Sequence, residues 1–581
     1  MANVDIKLDL ADRCAALLGA GRPEFQAVDA RAFYDLVEVP HNKSLGDFAI
    51  PCFRFAKSMK KPPAAVALDF ERVLSGGLCE GGILSGVKAT GPYLNLFLNR
   101  EEASRQLIAG AVSASFDRLQ SHGKGKTVVI DFSSPNIAKP FGIGHLRSTV
   151  IGNALRKIFT FLGYRVIGIN HLGDWGTQFG KLITAYKRWG DEAELARDPI
   201  RYLFRLYVRF HKEVVQSPEL EEEGRSWFSR LEGGDAEAVE LWKRFRELSL
   251  GEFRKIYTRL GVEFDHYTGE SFYGDQLEKT VRAVVEKGIA EESEGALIVP
   301  LDGMPPALIK KSDDATLYLT RDVAAAIYRH DTFQFDLALY VVGTPQALHF
   351  RQLFAVLKKM ECGWVEQCHH VPFGQIGFEE GAMSTRRGNV IFLEEVLDRA
   401  CELARRIVED KNPDLADKGK VAEAVGVGAI IFNDLKNSRI KDITFDWDEV
   451  LNFNGETGPY LQYTFARISS LIGKYTAAYG ELETQGAGFE RLPFGEEGYD
   501  VALLVNGFED VVLRASSEFE PSVISKYLLE LASAFNTFYS KHRVLGGDRA
   551  LSLSRALVVL AVKQVLGAGL GLLGIRTVEE M

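Results

Sequence analysis

The residues best suited to chemistry lie in the run SSPNIAKPFGIGHLR, Ser133 to Arg147. Gly142 and Gly144 allow a ligand to approach the backbone closely. The helix expected after them offers free N–H groups and a positive dipole end, which suit phosphate. Lys139, His145 and Arg147 add charge or donors beside it. Two glycines alone would be an ordinary βα connection. The mixture of Ser, Asn, Lys, Gly and His in one loop turns the reading towards a nucleotide site. A second cationic stretch, Met383-Ser384-Thr385-Arg386-Arg387-Gly388, stands far downstream. Two arginines in a row are usually a solvated turn. On a glycine-flanked loop they can also close on a triphosphate and stabilise the charge moving onto pyrophosphate.

Short elements must position these groups. Val128-Val129-Ile130 is an apolar run ending in turn residues, which predicts a buried strand. Ile151, Leu155, Ile158 and Leu162 then recur on one face of a helix, and Gly163 is a suitable stop. A second run, Val166 to Ile169, leads into Asn170-His171-Leu172-Gly173-Asp174. Strand, loop, helix, strand is a βαβ unit, so a parallel sheet with ligand at its carboxyl ends is expected. Leu337 to Val342 is another buried strand, ending in the polar loop Gly343-Thr344-Pro345-Gln346-Ala347-Leu348-His349. Residues 185–262 are rich in charge and helix formers and predict a helical insertion with its charged face in solvent.

PNIAKPFGIGHLRST followed by INHLGDWGTQFGKL resembles the signature region of class I aminoacyl-tRNA synthetases, and specifically of arginyl-tRNA synthetases. KKSDDATLYLTRD (310–322), GAMSTRRGNVIFLEEVL (381–397) and FNGETGPYLQYTFAR (453–467) agree, in the right order. The resemblance implies a multidomain chain. Residues 1–118 would be an N-terminal α/β domain that touches tRNA. Residues 119–455 would be a Rossmann-like parallel-sheet catalytic domain, and 456–581 an all-helical anticodon-binding domain. It implies an arginine–tRNA ligase that forms arginyl-adenylate from L-arginine and ATP, with Mg²⁺ accompanying the nucleotide, and transfers the acyl group to tRNA(Arg). The rival reading is a paralogue that binds tRNA and has lost catalysis.

The same resemblance assigns residues. Lys139, His145, Arg386 and Arg387 would act on the phosphates. Gly142, Gly144, His145, His349, Met383 and Ser384 would line the ATP site; His349 could instead cap the helix that follows. Ser134, Asn136, His145, Glu270, Tyr318, Asp322 and Gln346 would line the arginine pocket. A guanidinium is a planar fork of donors, and carboxylates are its natural partners. For Asp322, capping the helix DVAAAIYRH competes with that role. Asn42, Lys43, Tyr539, Arg543 and Met581 match positions that meet tRNA, while Phe48 and Phe53 are read as core. Two departures from the family stand out. Gly142 occupies the place of the usual first histidine of the signature. Thr385 and Arg387 stand where lysines are common, and Lys139 is the expected replacement for the missing charge.

Composition excludes little but points the same way. With 581 residues, 46% hydrophobic and 25% charged, the chain reads as a soluble globular protein of several domains. A net charge of −10 argues against a generic DNA- or polyanion-coating protein, though local basic patches could still hold RNA. Six cysteines without a CxxC pair suit a reducing cytoplasm and match no zinc pattern, so no structural metal is expected. MANVDIKLDLADR lacks the apolar stretch of a secretory signal. Leu557 to Ile575 is apolar but broken by Lys563 and Gln564, which suits a core helix better than a membrane span. A cytoplasmic monomer away from membranes is the expectation.

Overall fold

The computed structural model describes residues 6–19, 30–40, 42–77, 83–113, 116–311, 318–377, 391–484, 492–546 and 548–581. The chain divides into two compact units.

The first unit comprises Met1–Phe116, Arg467–Asp510 and Leu529–Gly567. Three antiparallel strands, β1 (Phe48–Pro51), β2 (Leu84–Thr90) and β3 (Tyr93–Leu98), form a sheet in the order β1-β3-β2. Alternation along Tyr93–Leu98 puts Leu94, Leu96 and Leu98 in the core. Phe33, Phe55 and Phe70 pack ring to ring beneath the sheet. Phe48 is buried, but Phe53 is 54% exposed, because it opens a helix and turns its ring outward onto the edge of Tyr93. Residues from distant parts of the sequence complete this unit. Lys7 pairs with Asp510 at 3.0 Å, and Arg100 with Glu496 at 2.9 Å. The Glu101 carboxylate accepts the N–H groups of Phe494 and Gly495. The apolar helix Arg549–Leu572 is long enough to cross a membrane by length and composition, yet 61% of its apolar window is buried within the fold.

The second unit comprises Asp117–Ala466, Val511–Leu528 and Ala568–Met581. Its centre is a four-stranded parallel sheet of β4 (Thr127–Asp131), β5 (Arg165–Ile169), β9 (Leu337–Gly343) and β10 (Cys368–Phe373), in the order β10-β9-β4-β5. The predicted βαβ unit is β4, the helix Leu146–Phe161 and β5. Every residue of β4 is buried, as a central strand covered on both faces must be. One face carries Val129, Ile167, Ile169, Ala338 and Tyr340 against the helices Tyr318–Phe333 and Ala347–Lys359. On the other face Phe132 meets the helix Leu146–Phe161 so closely that a Cβ on Gly152 would lie 2.3 Å from its ring. The order of the strands reverses between β4 and β9, with β5 added on one side and β9 and β10 on the other, which opens a crevice at their carboxyl ends.

Three additions surround the sheet. Helices between Thr177 and Leu260 form the insertion, beginning slightly before the predicted residue 185. A small antiparallel sheet of β6 (Glu291–Ser293), β7 (Ala296–Val299) and β8 (Ala307–Lys310) packs its apolar residues into the same core. The short pair β11 (Ile376–Gly377) and β12 (Ile443–Thr444) lines the crevice beyond β10.

Candidate active site

The loop after β4 is strained. Ser133, Ser134 and Ala138 have φ of 71°, 49° and 57°, a region that non-glycine residues avoid at a cost of roughly 1–3 kcal/mol each. Neighbours hold all three. The Ser133 N–H donates to Ser148 Oγ at 2.8 Å, and its hydroxyl lies 2.8 Å from that of Tyr257. The Ser134 hydroxyl donates to Asp131 at 3.0 Å, and the Ala138 N–H to Ser249 Oγ at 2.9 Å. Tyr257 and Ser249 belong to the helix Ala236–Leu260 of the insertion. The insertion therefore braces the site loop as well as facing solvent.

Asn136 is fixed by a parallel bridge to Gly173. A Cβ on Gly173 would lie 2.3 Å from Asn136 Oδ1, so any larger residue there would displace the asparagine amide. The Lys139 ammonium lies 5.8 Å from the ring centre of Tyr207 on the insertion helix Pro199–Glu213, a cation–π placement.

His145 closes the turn Ile143–His145 that feeds the helix Leu146–Phe161. Its Nδ1 lies 3.3 Å from the Gly142 carbonyl and its ring packs against Phe141. Burial pushes its pKa down to about 4, and the Lys139 charge adds to the effect. At neutral pH it is an uncharged hydrogen-bonding group. Gly142 bridges to Phe392, the Ile143 N–H donates to the Ile391 carbonyl, and the Leu393 N–H to the Phe141 carbonyl. The chain that follows the second cationic stretch is thus fastened to the first signature. Met383, Ser384, Arg386 and Arg387 themselves lie outside the described residues.

Beside this turn is a cleft of about 630 Å³, whose lining includes Gly144, Arg147, Gln346, Phe373, Gly377 and Asp442. A Cβ on Gly144 would meet nothing within 4 Å, so the backbone there faces open space. Behind the cleft wall, Arg147 and Asp434 form a buried ion pair at 3.1 Å, and Arg147 also donates to the Lys441 carbonyl at 2.7 Å.

The two carboxylates expected to hold arginine lie near enough for the charge of one to act on the other. The Glu270 N–H donates to the Leu172 carbonyl, and Arg321 to the Glu270 carbonyl at 3.1 Å. Burial raises the Glu270 pKa to about 8, opposed by Arg321 and reinforced by Asp322 and Asp174. Asp322 is therefore close enough for its charge to be felt at Glu270. Asp322 is not a helix cap, because it lies within the helix Tyr318–Phe333. Its Oδ2 lies 2.6 Å from Nε2 of His349 and its Oδ1 3.8 Å from Nε2 of His171. His349, a nucleotide contact or cap in the sequence reading, is thus engaged with Asp322. Tyr318 is 60% exposed, and its phenol pKa is raised by partial burial of the hydroxyl and by Glu270. Gln346 is exposed at the end of the turn Thr344–Gln346 and faces the cleft.

Several working residues escaped sequence reasoning. Buried Asp174 accepts from Arg246 at 3.1 Å and from the Ser271 N–H and hydroxyl, each at 2.9 Å, and so fixes the turn that carries Glu270. Behind Asp322, Arg329 pairs with Asp131 at 2.8 Å and reaches His171 Nδ1 at 3.3 Å. Asp174 and His171 both lie in the polar stretch after β5, which was the available signal.

The residues matched to tRNA contacts sit apart from this pocket in the sequence. Asn42 is exposed, with its side chain accepting the Ser44 N–H. Tyr539 is 36% exposed, stacked on Phe535, with the Arg467 guanidinium 5.6 Å from its ring centre. Arg543 is exposed. Met581 is half-buried against Val421, Ala424, Ala466 and Val578. Nothing is described for the Lys43 side chain.

A parallel sheet with a signature turn at its switch point, and a neutral histidine in that turn beside a nucleotide-sized cleft, are the marks of a class I aminoacyl-tRNA synthetase. Residues 111–447 match the family described as tRNA synthetases class I (R), catalytic domain. Residues 461–581 match the DALR anticodon binding domain, and 7–98 the arginyl tRNA synthetase N terminal domain. A protein of Halothermothrix orenii named arginine–tRNA ligase is 46% identical over 96% of this chain and 98% of its own length. One of Bacillus cereus, arginine–tRNA ligase 1, is 51% identical over 94% and 96%. The solved arginyl-tRNA synthetase of Thermus thermophilus superposes with a TM-score of 0.79 at 26% identity, over 94% of this chain and 96% of that one. The chain belongs to the arginyl-tRNA synthetase family.

Proposed function

We infer that this chain is an arginine–tRNA ligase that activates L-arginine with ATP and esterifies tRNA(Arg). What supports the substrate reading is the largely buried carboxylate of Glu270, with Asp322 near enough for its charge to act on it. A guanidinium presents donors along two edges, and two convergent carboxylates complement it where a lysine ammonium would leave acceptors unmatched.

Glu270 and Asp322 take the guanidinium, with Tyr318 and Gln346 along the side of the pocket. Asn136, on its strained loop with Ser134, holds the amino-acid end near His145. The cleft beside Gly144 takes the nucleotide. Lys139 and, from the second cationic stretch, Arg386 and Arg387 supply positive charge to the phosphates beside the uncharged ring of His145, whose Nδ1 faces the Gly142 carbonyl. Met383 and Ser384 complete the nucleotide side. The arginine carboxylate attacks the α-phosphorus in line, releasing pyrophosphate; the acyl group then passes to the terminal ribose hydroxyl of the tRNA. No side chain needs to become a covalent nucleophile, so the rate comes from positioning and electrostatics. Mg²⁺ accompanying the nucleotide would add to the positive charge that Lys139, Arg386 and Arg387 bring to the phosphates.

The division 1–118, 119–455 and 456–581 assigns tRNA contacts to both ends of the chain. Asn42 and Lys43 would serve at one end, and Tyr539, Arg543 and Met581 at the other, with bases stacking on the exposed Tyr539 ring. We place the enzyme in the cytoplasm as a monomer.

ATP–pyrophosphate exchange across the amino acids, with and without tRNA, tests the reading. Exchange that depends on arginine supports it. No exchange together with retained tRNA binding would instead mark a paralogue in which the loss of the signature histidine at Gly142 is uncompensated.

A further inference from the structure

One wall of the nucleotide cleft is tied to a turn far along the chain. The turn joins the helices Phe508–Ser517 and Ser522–Lys541, inside the stretch 461–581 that matches the anticodon binding domain. Val511–Leu528, which holds the turn, belongs to the second unit together with the cleft. Glu520 accepts the Ser438 hydroxyl at 3.1 Å and the Arg439 N–H at 3.2 and 3.3 Å on its two oxygens. The Arg439 guanidinium donates to the Phe519 carbonyl at 3.1 Å and to the Pro372 carbonyl of β10 at 2.7 Å. The Glu520 charge offsets that of this half-buried guanidinium. Phe519 presents its carbonyl from a left-handed φ of 51°, with its ring packed against His369.

From Ser438 the chain runs directly into the cleft. The Gly374 N–H donates to the Arg439 carbonyl at 2.8 Å, and a Cβ on Gly374 would lie 2.5 Å from the Lys441 backbone. The Asp442 carboxylate accepts the Gln375 N–H at 2.6 Å. The Ile443 N–H donates to the Gln375 carbonyl at 2.8 Å, where β12 begins beside β11. Gly374, Gln375, Ile376, Asp442 and Ile443 all line the cleft. Between its ends this segment has little packing of its own. Ile440 is 61% exposed, and Lys441 and Asp442 are exposed as well. Its path therefore depends on polar contacts, and Glu520 makes those at its start.

We propose that Glu520 is a positioning residue for the nucleotide: by holding Ser438 and Arg439 it sets the segment 438–442, and through it the cleft wall made by Gln375 and Asp442. This rests on the assignment of the cleft to the nucleotide. Without the carboxylate, the Ser438 hydroxyl and the Arg439 N–H lose their acceptor and the segment gains alternative paths. A nucleotide must then select the competent one, and its apparent affinity falls by the fraction populated. Arginine is held by Glu270 and Asp322 on other elements, so its affinity stays as it was.

The test uses the full-length protein below the melting temperature of every variant. ATP and arginine Kd are read by titration calorimetry, which needs no turnover, alongside both KM values in exchange with tRNA present. Glu520→Ala removes both acceptors. Glu520→Gln keeps an acceptor for the Arg439 N–H, and its amide can donate to the Ser438 hydroxyl. Gly144→Leu is the reference, since it sets a side chain at a cleft-lining position where a Cβ has open space. The expected result in Glu520→Ala is an ATP Kd and KM about fivefold higher or more, on the scale of one hydrogen bond, with arginine values near those of the parent. Glu520→Gln should recover most of the ATP affinity, and Gly144→Leu should weaken ATP binding in every assay. Unchanged ATP affinity in Glu520→Ala, with weakened binding in Gly144→Leu, would overturn the positioning role alone. Equal losses of ATP and arginine affinity, or no recovery in Glu520→Gln, would also overturn it. Unchanged ATP affinity in Gly144→Leu would remove the cleft assignment beneath it.

Discussion

Arginine binding should expel a proton, and the quantity follows from Glu270. Burial raises its carboxyl to about 8 from the usual 4.5, with Asp322 and Asp174 adding to the effect and Arg321 and Lys139 opposing it. At pH 7 the unliganded side chain then carries about 0.9 proton, at pH 8 about 0.5. A bound guanidinium needs the carboxylate, so binding releases those fractions. The association constant for arginine should rise about 50-fold between pH 6 and pH 8 and level off above. Titration calorimetry in buffers of different ionisation enthalpy measures the released proton directly. Stability follows with the opposite sense. A pKa raised by folding gives stabilisation that is complete below pH 4.5 and lost as pH rises through 8. Glu270→Gln should therefore stabilise the unliganded enzyme at pH 8, by up to roughly 4 kcal/mol, while losing arginine. Proton release near zero at pH 7, or an affinity flat from pH 6 to 8, would refute this account of the pocket.

Three further substitutions probe its supports. Gly173→Ala places a Cβ 2.3 Å from the end of the Asn136 side chain, which can swing aside. Stability should fall by less than about 1 kcal/mol while arginine KM rises severalfold, read by thermal melts and exchange kinetics. Asp174→Ala removes the acceptor of Arg246 and of both Ser271 donors, and should cost roughly 3 kcal/mol in chemical denaturation together with a raised arginine KM. Arg147→Met should destabilise by about 3–5 kcal/mol because it strands the buried Asp434. Replacing Asp434 by leucine in the same protein should recover much of that loss in a double-mutant cycle.

The sheet and its signature turn were legible because they rest on local periodicity. The Val128–Ile130 run, the face Ile151, Leu155, Ile158 and the Val166–Ile169 run fall where β4, the helix Leu146–Phe161 and β5 are found. Glu270 and Asp322 were reachable only through likeness to relatives, since nothing local says that residues so far apart approach one another. The left-handed backbone at Ser133, Ser134 and Ala138 left no mark in the sequence, because glycine is the usual sign and none of them is glycine. The Asp131–Arg329–His171 line was hidden for another reason: each member is a common surface residue until a fold buries it. The place of Asp322 inside a helix was missed because Tyr318 to Arg321, which precede it there, carry no sharp helix signal.

The pairs Lys7–Asp510 and Arg100–Glu496 span most of the chain. On a ribosome adding about 5–20 residues each second, Arg100 waits some 20 to 80 s for Glu496 to emerge. During that interval the partners of Lys7, Arg100 and Glu101 in the first unit have not yet been made. The interval is long enough for a nascent chain to meet chaperones or other nascent chains, so biogenesis of this enzyme is exposed to crowding and heat well before catalysis is possible.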